Sequence, residues 1–69
     1  VIMYTKRIKD LREMNNLTQK VLAEYLNISQ ATYARYETGE IKIDIESIIK
    51  LAKFYKVSTD YILGLSNKK

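Results

Sequence analysis

The chain has 69 residues and a formal net charge of +4, from twelve Lys and Arg against eight Asp and Glu. A chain of this length forms one small domain, near the lower size limit at which a hydrophobic core is stable without disulfide bonds or a bound metal. It contains no Cys, His or Pro and two Gly, which excludes disulfides and the usual thiolate and imidazole metal sites and favours helices joined by short turns.

The mildly basic balance suits a polyanionic partner. No apolar run approaches the length needed to cross a bilayer, and no signal-peptide pattern is present, so we expect no membrane partner and a cytoplasmic location. No repeat or low-complexity tract divides the chain, which predicts a single domain.

The chain is predicted to begin with a lead-in of residues 1–5, in which Met3 is a candidate initiator. A first helix follows over residues 6–15. Ile8 and Leu11 are three positions apart, which is the spacing of one helical face, so both are expected to point into the core.

The segment 18–39 contains two short helical patterns separated by a tight turn. Thr18 offers an N-cap hydroxyl to the first of them. Its apolar stripe follows at helical spacing and consists of Leu22, Ala23 and Leu26. Asn27 then ends this helix, because Asn is one of the few residues other than Gly that adopts the left-handed conformation easily.

A second helix is predicted over residues 30–38, with Ser29 as its N-cap and Gly39 as the residue that ends it. Two helices joined by a turn of about three residues form the helix-turn-helix unit that reads DNA. The second helix of that unit enters the major groove.

Two more helices are predicted after the loop 40–43. Asp44 is a good N-cap for the first of them, and its apolar residues recur at helical spacing: Ile45, Ile48, Ile49, Leu51, Ala52 and Tyr55. Ser58 caps a last short helix over residues 59–63.

Gly64 ends the last helix, and residues 65–69 are predicted to be a flexible tail. The sequence therefore predicts an all-α fold, a compact bundle of five helices that occupies residues 6–64.

The segment 18–39 resembles the helix-turn-helix domains of the phage repressor and Cro family. Those sequences run Thr-Gln-x-x-Leu-Ala-x-x-Leu-Gly-hydrophobic-Ser, then x-x-Thr-hydrophobic-x-x-Tyr/Trp-Glu-x-Gly. The matching residues here are Thr18, Gln19, Leu22, Ala23, Leu26, Ile28, Ser29, Thr32, Tyr36, Glu37 and Gly39. The resemblance extends to residues 7–12, 44–52 and 57–64.

Three residues depart from the family pattern. Ile43 stands where a proline is frequent, and Asn27 and Lys56 each stand where a glycine is frequent. The resemblance implies a fold of the lambda-repressor-like DNA-binding type. It also implies a transcriptional regulator, chiefly a repressor, that binds a pseudo-palindromic operator in double-stranded DNA as a homodimer.

Base readout is predicted for Gln30, Ala31 and Arg35, because a recognition helix docks with its N-terminal residues against base edges. Gln bonds bidentately to adenine, Ala suits contact with a thymine methyl group, and Arg pairs with guanine or with a phosphate. Arg35 follows Ala31 by one helical turn, which places both on one face.

Phosphate contact is predicted for a second group of residues: Thr18, Gln19, Thr32, Tyr33 and Lys42. Thr18 and Gln19 begin a helix whose N-terminal amides can face a phosphate. The resemblance further implies that Gln19 braces Gln30. Tyr33 occupies a family position that is usually buried, so a core role is the alternative for its ring.

The resemblance also implies two structural features. Arg12 and Glu37 correspond to a buried ion pair of the family, and the end of the last helix corresponds to a dimer contact, here Ile62, Leu63 and Leu65.

Other functions are weighed against this one. An antitoxin that also holds a toxin protein is one alternative, and a protein-interaction module that keeps the fold without reading DNA is another. An enzyme fits least, because the chain has no His, no Cys and no Gly-rich phosphate loop. No cofactor and no metal are expected.

Overall fold

Five helices follow one another in the computed structural model, which describes residues 3–69. They are α1 (Met3–Met14), α2 (Gln19–Leu26), α3 (Gln30–Thr38), α4 (Ile45–Tyr55) and α5 (Thr59–Leu63). Over the described residues there is no strand, so the predicted all-α architecture is confirmed. None of these helices has the length and apolar character needed to cross a membrane.

Helix α1 begins earlier than predicted. It starts at Met3, so residues 3–5 are the first turn of a helix rather than a lead-in, while residues 1 and 2 lie outside the described part of the chain. Tyr4 packs against the core. The side chain of Met3 lies so close to Gly64 that a Cβ there would clash with it. These contacts fix the extra turn, and no local pattern in the sequence encodes them.

Each of the last four helices begins at a side chain that accepts a backbone N–H. Thr18, Ser29, Asp44 and Ser58 all have extended backbones and accept from the amide three residues on. Such a cap satisfies one of the amides that the first turn of a helix leaves unpaired. These contacts set the helix starts where the sequence predicts them.

The helices end in left-handed residues. Gly39 and Gly64 have φ of 84° and 82°, and the two departures from the family pattern, Asn27 and Lys56, have φ of 59° and 57°. A side chain in this conformation is strained, less so for Asn than for Lys. Both positions therefore adopt the left-handed conformation that a glycine would favour, without a glycine.

The core lies where α1 packs against α3 and α5, α2 against α3, and α4 against α5. Its buried apolar residues are Ile8, Leu11, Leu22, Ala23, Leu26, Tyr33, Tyr36, Ile43, Ile48, Leu51, Ala52 and Ile62. The predicted stripe of α4 is too wide, because Ile45 is 75% exposed and Ile49 is 41% exposed. Ile48, Leu51 and Ala52 form the face that meets the core, and the other two lie to one side of it.

The segment after α5 folds back onto the domain. Arg7 donates from Nη1 to the carbonyl oxygens of Tyr61 and Ser66, at 2.9 and 3.1 Å, and its guanidinium lies 4.1 Å from the centre of the Tyr61 ring. The amide of Ser58 donates to the carbonyl oxygen of Lys69 at 2.9 Å. The predicted tail is therefore in contact with α1 and α5 in this structure.

Candidate nucleic-acid interface

The first turn of α3 is an exposed surface with a rigid base. The Ser29 hydroxyl accepts from the Thr32 amide at 3.1 Å and donates to the Thr32 hydroxyl at 2.9 Å. Gln30 and Ala31 follow this cap directly, and both side chains are exposed. The cap thus fixes the backbone from which two of the predicted readout residues project, while Thr32 is half-buried and engaged in the cap itself.

Arg35 lies one turn further along α3 and is also exposed. Its Nε atom is 3.3 Å from Oε2 of Glu40, in the loop after α3. A separation of five residues is not a helical contact, so helical periodicity does not predict this pair. The left-handed turn at Gly39 brings the two side chains together.

Gln19 joins the interface to the interior of the domain. Its side-chain amide donates to Oε1 of Glu37 at 3.2 Å. Arg12 also donates to Glu37 twice, from Nε to Oε2 at 2.7 Å and from Nη2 to Oε1 at 3.1 Å. The third nitrogen of Arg12, Nη1, donates to the carbonyl oxygen of Leu17. In this structure the Gln19 side chain therefore contacts the ion pair rather than Gln30.

The pair of Arg12 and Glu37 is close to fully desolvated, with side chains 14% and 3% exposed. Burial by itself would raise the pKa of Glu37, but the hydrogen bonds from Arg12 and Gln19 outweigh it and leave that pKa below its ordinary value. The hydrogen bond to Glu37 raises the pKa of Arg12. Both groups are charged near neutral pH, and they connect α1 to the C-terminal half of α3.

The prediction that Tyr33 contacts phosphate is wrong. Its side chain is fully buried and its ring meets that of Tyr36 edge to face, with 6.5 Å between the ring centres. Burial raises the pKa of Tyr33, and its hydroxyl has no hydrogen-bond partner among the described residues. The core role that the family position suggested is the correct one.

Two of the remaining predicted phosphate residues are a helix cap and a loop residue. Thr18 caps α2, and its hydroxyl accepts from the amide of Val21 at 3.3 Å. Lys42 lies in the loop between α3 and α4 and is exposed. Arg35 and Lys42 are thus the two cationic side chains among the predicted contact residues, and the anionic Glu40 lies beside Arg35.

The predicted dimer patch is only partly on the surface. Ile62 is fully buried, so its assignment to the patch is wrong; it faces the core where α5 packs against α1. Leu63 and Leu65 are 38% and 75% exposed, and Met3 is exposed beside Gly64. We call Met3, Leu63 and Leu65 the α5 patch.

A second apolar surface lies between α2 and α4. The rings of Tyr25 and Phe54 are 4.7 Å apart, and the Tyr25 hydroxyl donates to the carbonyl oxygen of Lys50 at 2.9 Å. Val21, one turn before Tyr25 in α2, is also exposed. These contacts hold the exposed side of α2 against α4.

The chain is similar in sequence to known proteins over most of its length. A family model described as helix-turn-helix matches residues 8–62. The HTH-type transcriptional regulator YobD of Bacillus subtilis, itself uncharacterized, is 40% identical over 65 residues, which cover 94% of this chain and 58% of YobD. The chain thus spans less than two thirds of that relative.

Solved structures give the same fold. A transcriptional regulator from Listeria innocua superposes with a TM-score of 0.85 at 34% identity, covering 88% of this chain and 57% of that one. The P22 c2 repressor, solved in complex with a synthetic operator, superposes with a TM-score of 0.80 at 24% identity, covering 91% of this chain and 96% of that one. The expected lambda-repressor-like fold is confirmed.

Proposed function

The chain belongs to the helix-turn-helix family, and from that membership we propose that it is a sequence-specific regulator of transcription that binds double-stranded DNA. The observation that carries the proposal is the division of α3 into two faces. Tyr33, Tyr36 and Glu37 are buried, while Gln30, Ala31 and Arg35 are exposed. A short helix with a fully packed inner side and a polar outer side at its N-terminus suits insertion into a major groove.

Base contacts are assigned to the exposed side of α3. Gln30 and Ala31 enter deepest, where the Gln amide bonds adenine and the Ala methyl meets a thymine methyl group. Arg35, one turn later, pairs with guanine. The buried pair of Arg12 and Glu37 ties α3 to α1, so the reading side chains project from a rigid element.

Phosphate contacts are assigned to residues outside α3. A hydroxyl group can accept and donate at the same time, so the Thr18 hydroxyl, which accepts from Val21, keeps its proton for a phosphate oxygen. The first amides of α2, at Gln19, provide further donors. Lys42 contributes a charge from the loop between α3 and α4.

Dimerisation on a pseudo-palindromic operator is part of the proposal. One copy offers few cationic side chains, and affinity depends strongly on how many phosphates are neutralised. Two copies double that number and place their α3 helices about 34–36 Å apart, one helical turn of DNA. The α5 patch supplies the apolar surface for this contact. Sedimentation at micromolar concentration that finds only monomer, with and without operator DNA, contradicts the dimer.

Regulation would follow from occupancy. A dimer seated in two successive major grooves blocks access to a promoter that overlaps its operator, which makes repression the expected outcome. Binding to DNA also implies a location in the cytoplasm and a role other than catalysis, in agreement with relatives named as transcriptional regulators.

Selection of bound duplexes from a random pool tests the proposal directly. A pseudo-palindromic consensus is expected. On the selected duplex Gln30→Ala should reduce the base preference at one position and weaken binding by about 1–3 kcal/mol. Lys42→Ala should instead weaken binding to all sequences alike. Failure to enrich any sequence contradicts the proposal.

A protein-interaction module is the second candidate, and one observation favours it. The charge of Arg35 is partly neutralised by Glu40, which leaves the proposed face weakly basic. A salt series separates the two functions, because binding to DNA weakens steeply with salt and binding through apolar contacts does not. A DNA-binding antitoxin would behave as the first function does, and would in addition bind a toxin protein.

A further inference from the structure

The ion pair between Arg35 and Glu40 is held by the backbone at the end of α3. Gly39 takes the left-handed conformation, and the amide of Ile41 donates back to the carbonyl oxygen of Arg35 at 3.3 Å. The amide of Glu40 donates to the hydroxyl of Thr38 at 3.3 Å. This turn fixes the backbone of Glu40 beside α3, with its carboxylate next to Arg35.

The pair contributes little to folding. The side chains of Arg35 and Glu40 are 52% and 68% exposed. Exposed pairs of this kind change stability by about 0–1 kcal/mol. Its position on the proposed reading face therefore points to a role in what Arg35 contacts.

The hydrogen-bonding groups of Arg35 are divided by the pair. Nε lies 3.3 Å from Oε2 of Glu40 in an ion pair without a hydrogen bond, and over residues 3–69 neither Nη atom has a hydrogen-bond partner. A guanidinium can present its two Nη atoms end-on, as parallel donors, to O6 and N7 of guanine. The Glu40 carboxylate therefore attracts the guanidinium from its Nε side and leaves this end available.

We propose that Glu40 is a positioning residue that aims Arg35 at a guanine in the major groove. The inference rests on the proposed function. It adds that the carboxylate acts in two ways: it restrains a flexible cationic side chain before DNA arrives, and it repels a phosphate that would otherwise compete for the same guanidinium. Arg35 then contributes more to sequence preference than to general affinity.

The test uses the full chain and the duplex that it selects. Arg35→Ala first identifies the guanine whose preference is lost. Affinity is then measured for that duplex and for a copy in which this G·C pair is replaced by A·T, and the ratio of the two is the guanine preference. Restraint of one flexible side chain is typically worth a factor of about two to ten in affinity, so Glu40→Ala should lower the preference by that factor.

Two further variants separate the local ion pair from a general charge effect. In Glu40→Gln the side chain keeps its size but loses the charge that attracts Arg35, so this variant should lower the preference as Glu40→Ala does. Glu46→Ala removes an equal charge from the first turn of α4, where Glu46 is exposed and has no ion pair among the described residues, and it should leave the preference unchanged. Circular dichroism before titration establishes that each variant is folded.

Three results overturn the inference. An unchanged preference in Glu40→Ala removes the role of Glu40 alone and leaves the proposed function standing. An equal loss in Glu46→Ala replaces positioning with a general charge effect. Absence of any sequence preference in the unmodified chain overturns the proposed function together with the role assigned to Glu40.

Discussion

Replacing Glu37 with alanine should come close to unfolding the domain. The carboxylate is 3% exposed and accepts three hydrogen bonds, two from Arg12 and one from Gln19. Its loss leaves the Arg12 guanidinium, 14% exposed, without its counter-ion. Breaking one partner of such a buried pair costs about 3–5 kcal/mol. A chain of 69 residues has about 3–10 kcal/mol of stability in total.

Urea denaturation followed by circular dichroism measures this cost. Glu13→Ala is the matched control, because Glu13 is 3.9 Å from the same guanidinium but 56% exposed; its effect should be within about 0.5 kcal/mol. The double variant Arg12→Met/Glu37→Leu removes both charges and should be more stable than Glu37→Ala. If Glu37→Ala lowers the free energy of unfolding by less than about 1 kcal/mol, the buried pair does not stabilise the fold as proposed.

Three further changes test the folded state. The pKa of Glu37 is lower in the folded chain than its unfolded value of 4.5, so its ionised form stabilises the fold fully at pH values above 4.5. This contribution is lost as the pH falls through the folded pKa. Arg12→Met/Glu37→Leu lacks the group and should therefore lose less stability than the unmodified chain on acidification. Lys56→Gly should add about 1 kcal/mol in urea denaturation, because Lys56 holds a left-handed backbone. Tyr55→Phe should be neutral or stabilising, because the buried Tyr55 hydroxyl has no hydrogen-bond partner among residues 3–69 and burial raises its pKa to about 12.

Each of these predictions has an outcome that would contradict it. Equal acid sensitivity in the double variant would mean that another carboxylate carries the effect. A loss of stability in Lys56→Gly would mean that the side chain makes a contact worth more than the backbone strain. Tyr36→Phe is the control for Tyr55→Phe: the Tyr36 hydroxyl donates to Asp44 at 3.3 Å, so it should cost about 1 kcal/mol, and a larger cost for Tyr55→Phe refutes the reasoning.

Most helix boundaries were predictable because caps are local. A Ser or Asp before an apolar stripe has its acceptor oxygen three residues from the amide that needs it, so Ser29 and Asp44 mark helix starts by chemistry alone. Gly39 and Asn27 mark ends in the same way, through their tolerance of positive φ.

The errors concern contacts between elements. In α5 three apolar residues follow one another, and only the direction of α1 decides that Ile62 turns inward while Leu63 stays exposed. Ile45 and Ile49 fit the stripe of α4 by period, yet both remain exposed. The proximity of Glu40 to Arg35 depends on the turn geometry after α3. Periodicity gives the faces of a helix but does not say which of them a neighbour will cover.

The central claim, that the exposed side of α3 reads DNA, is tested most directly by an amide chemical-shift titration of the isotope-labelled chain with its selected duplex. The largest shifts are expected at Gln30, Ala31 and Arg35, with smaller ones at Gln19 and Lys42. A scrambled duplex of the same length should move the phosphate-contacting positions while leaving the α3 positions much less affected. Shifts concentrated on α4 and α5, or equal effects from the two duplexes, would contradict it.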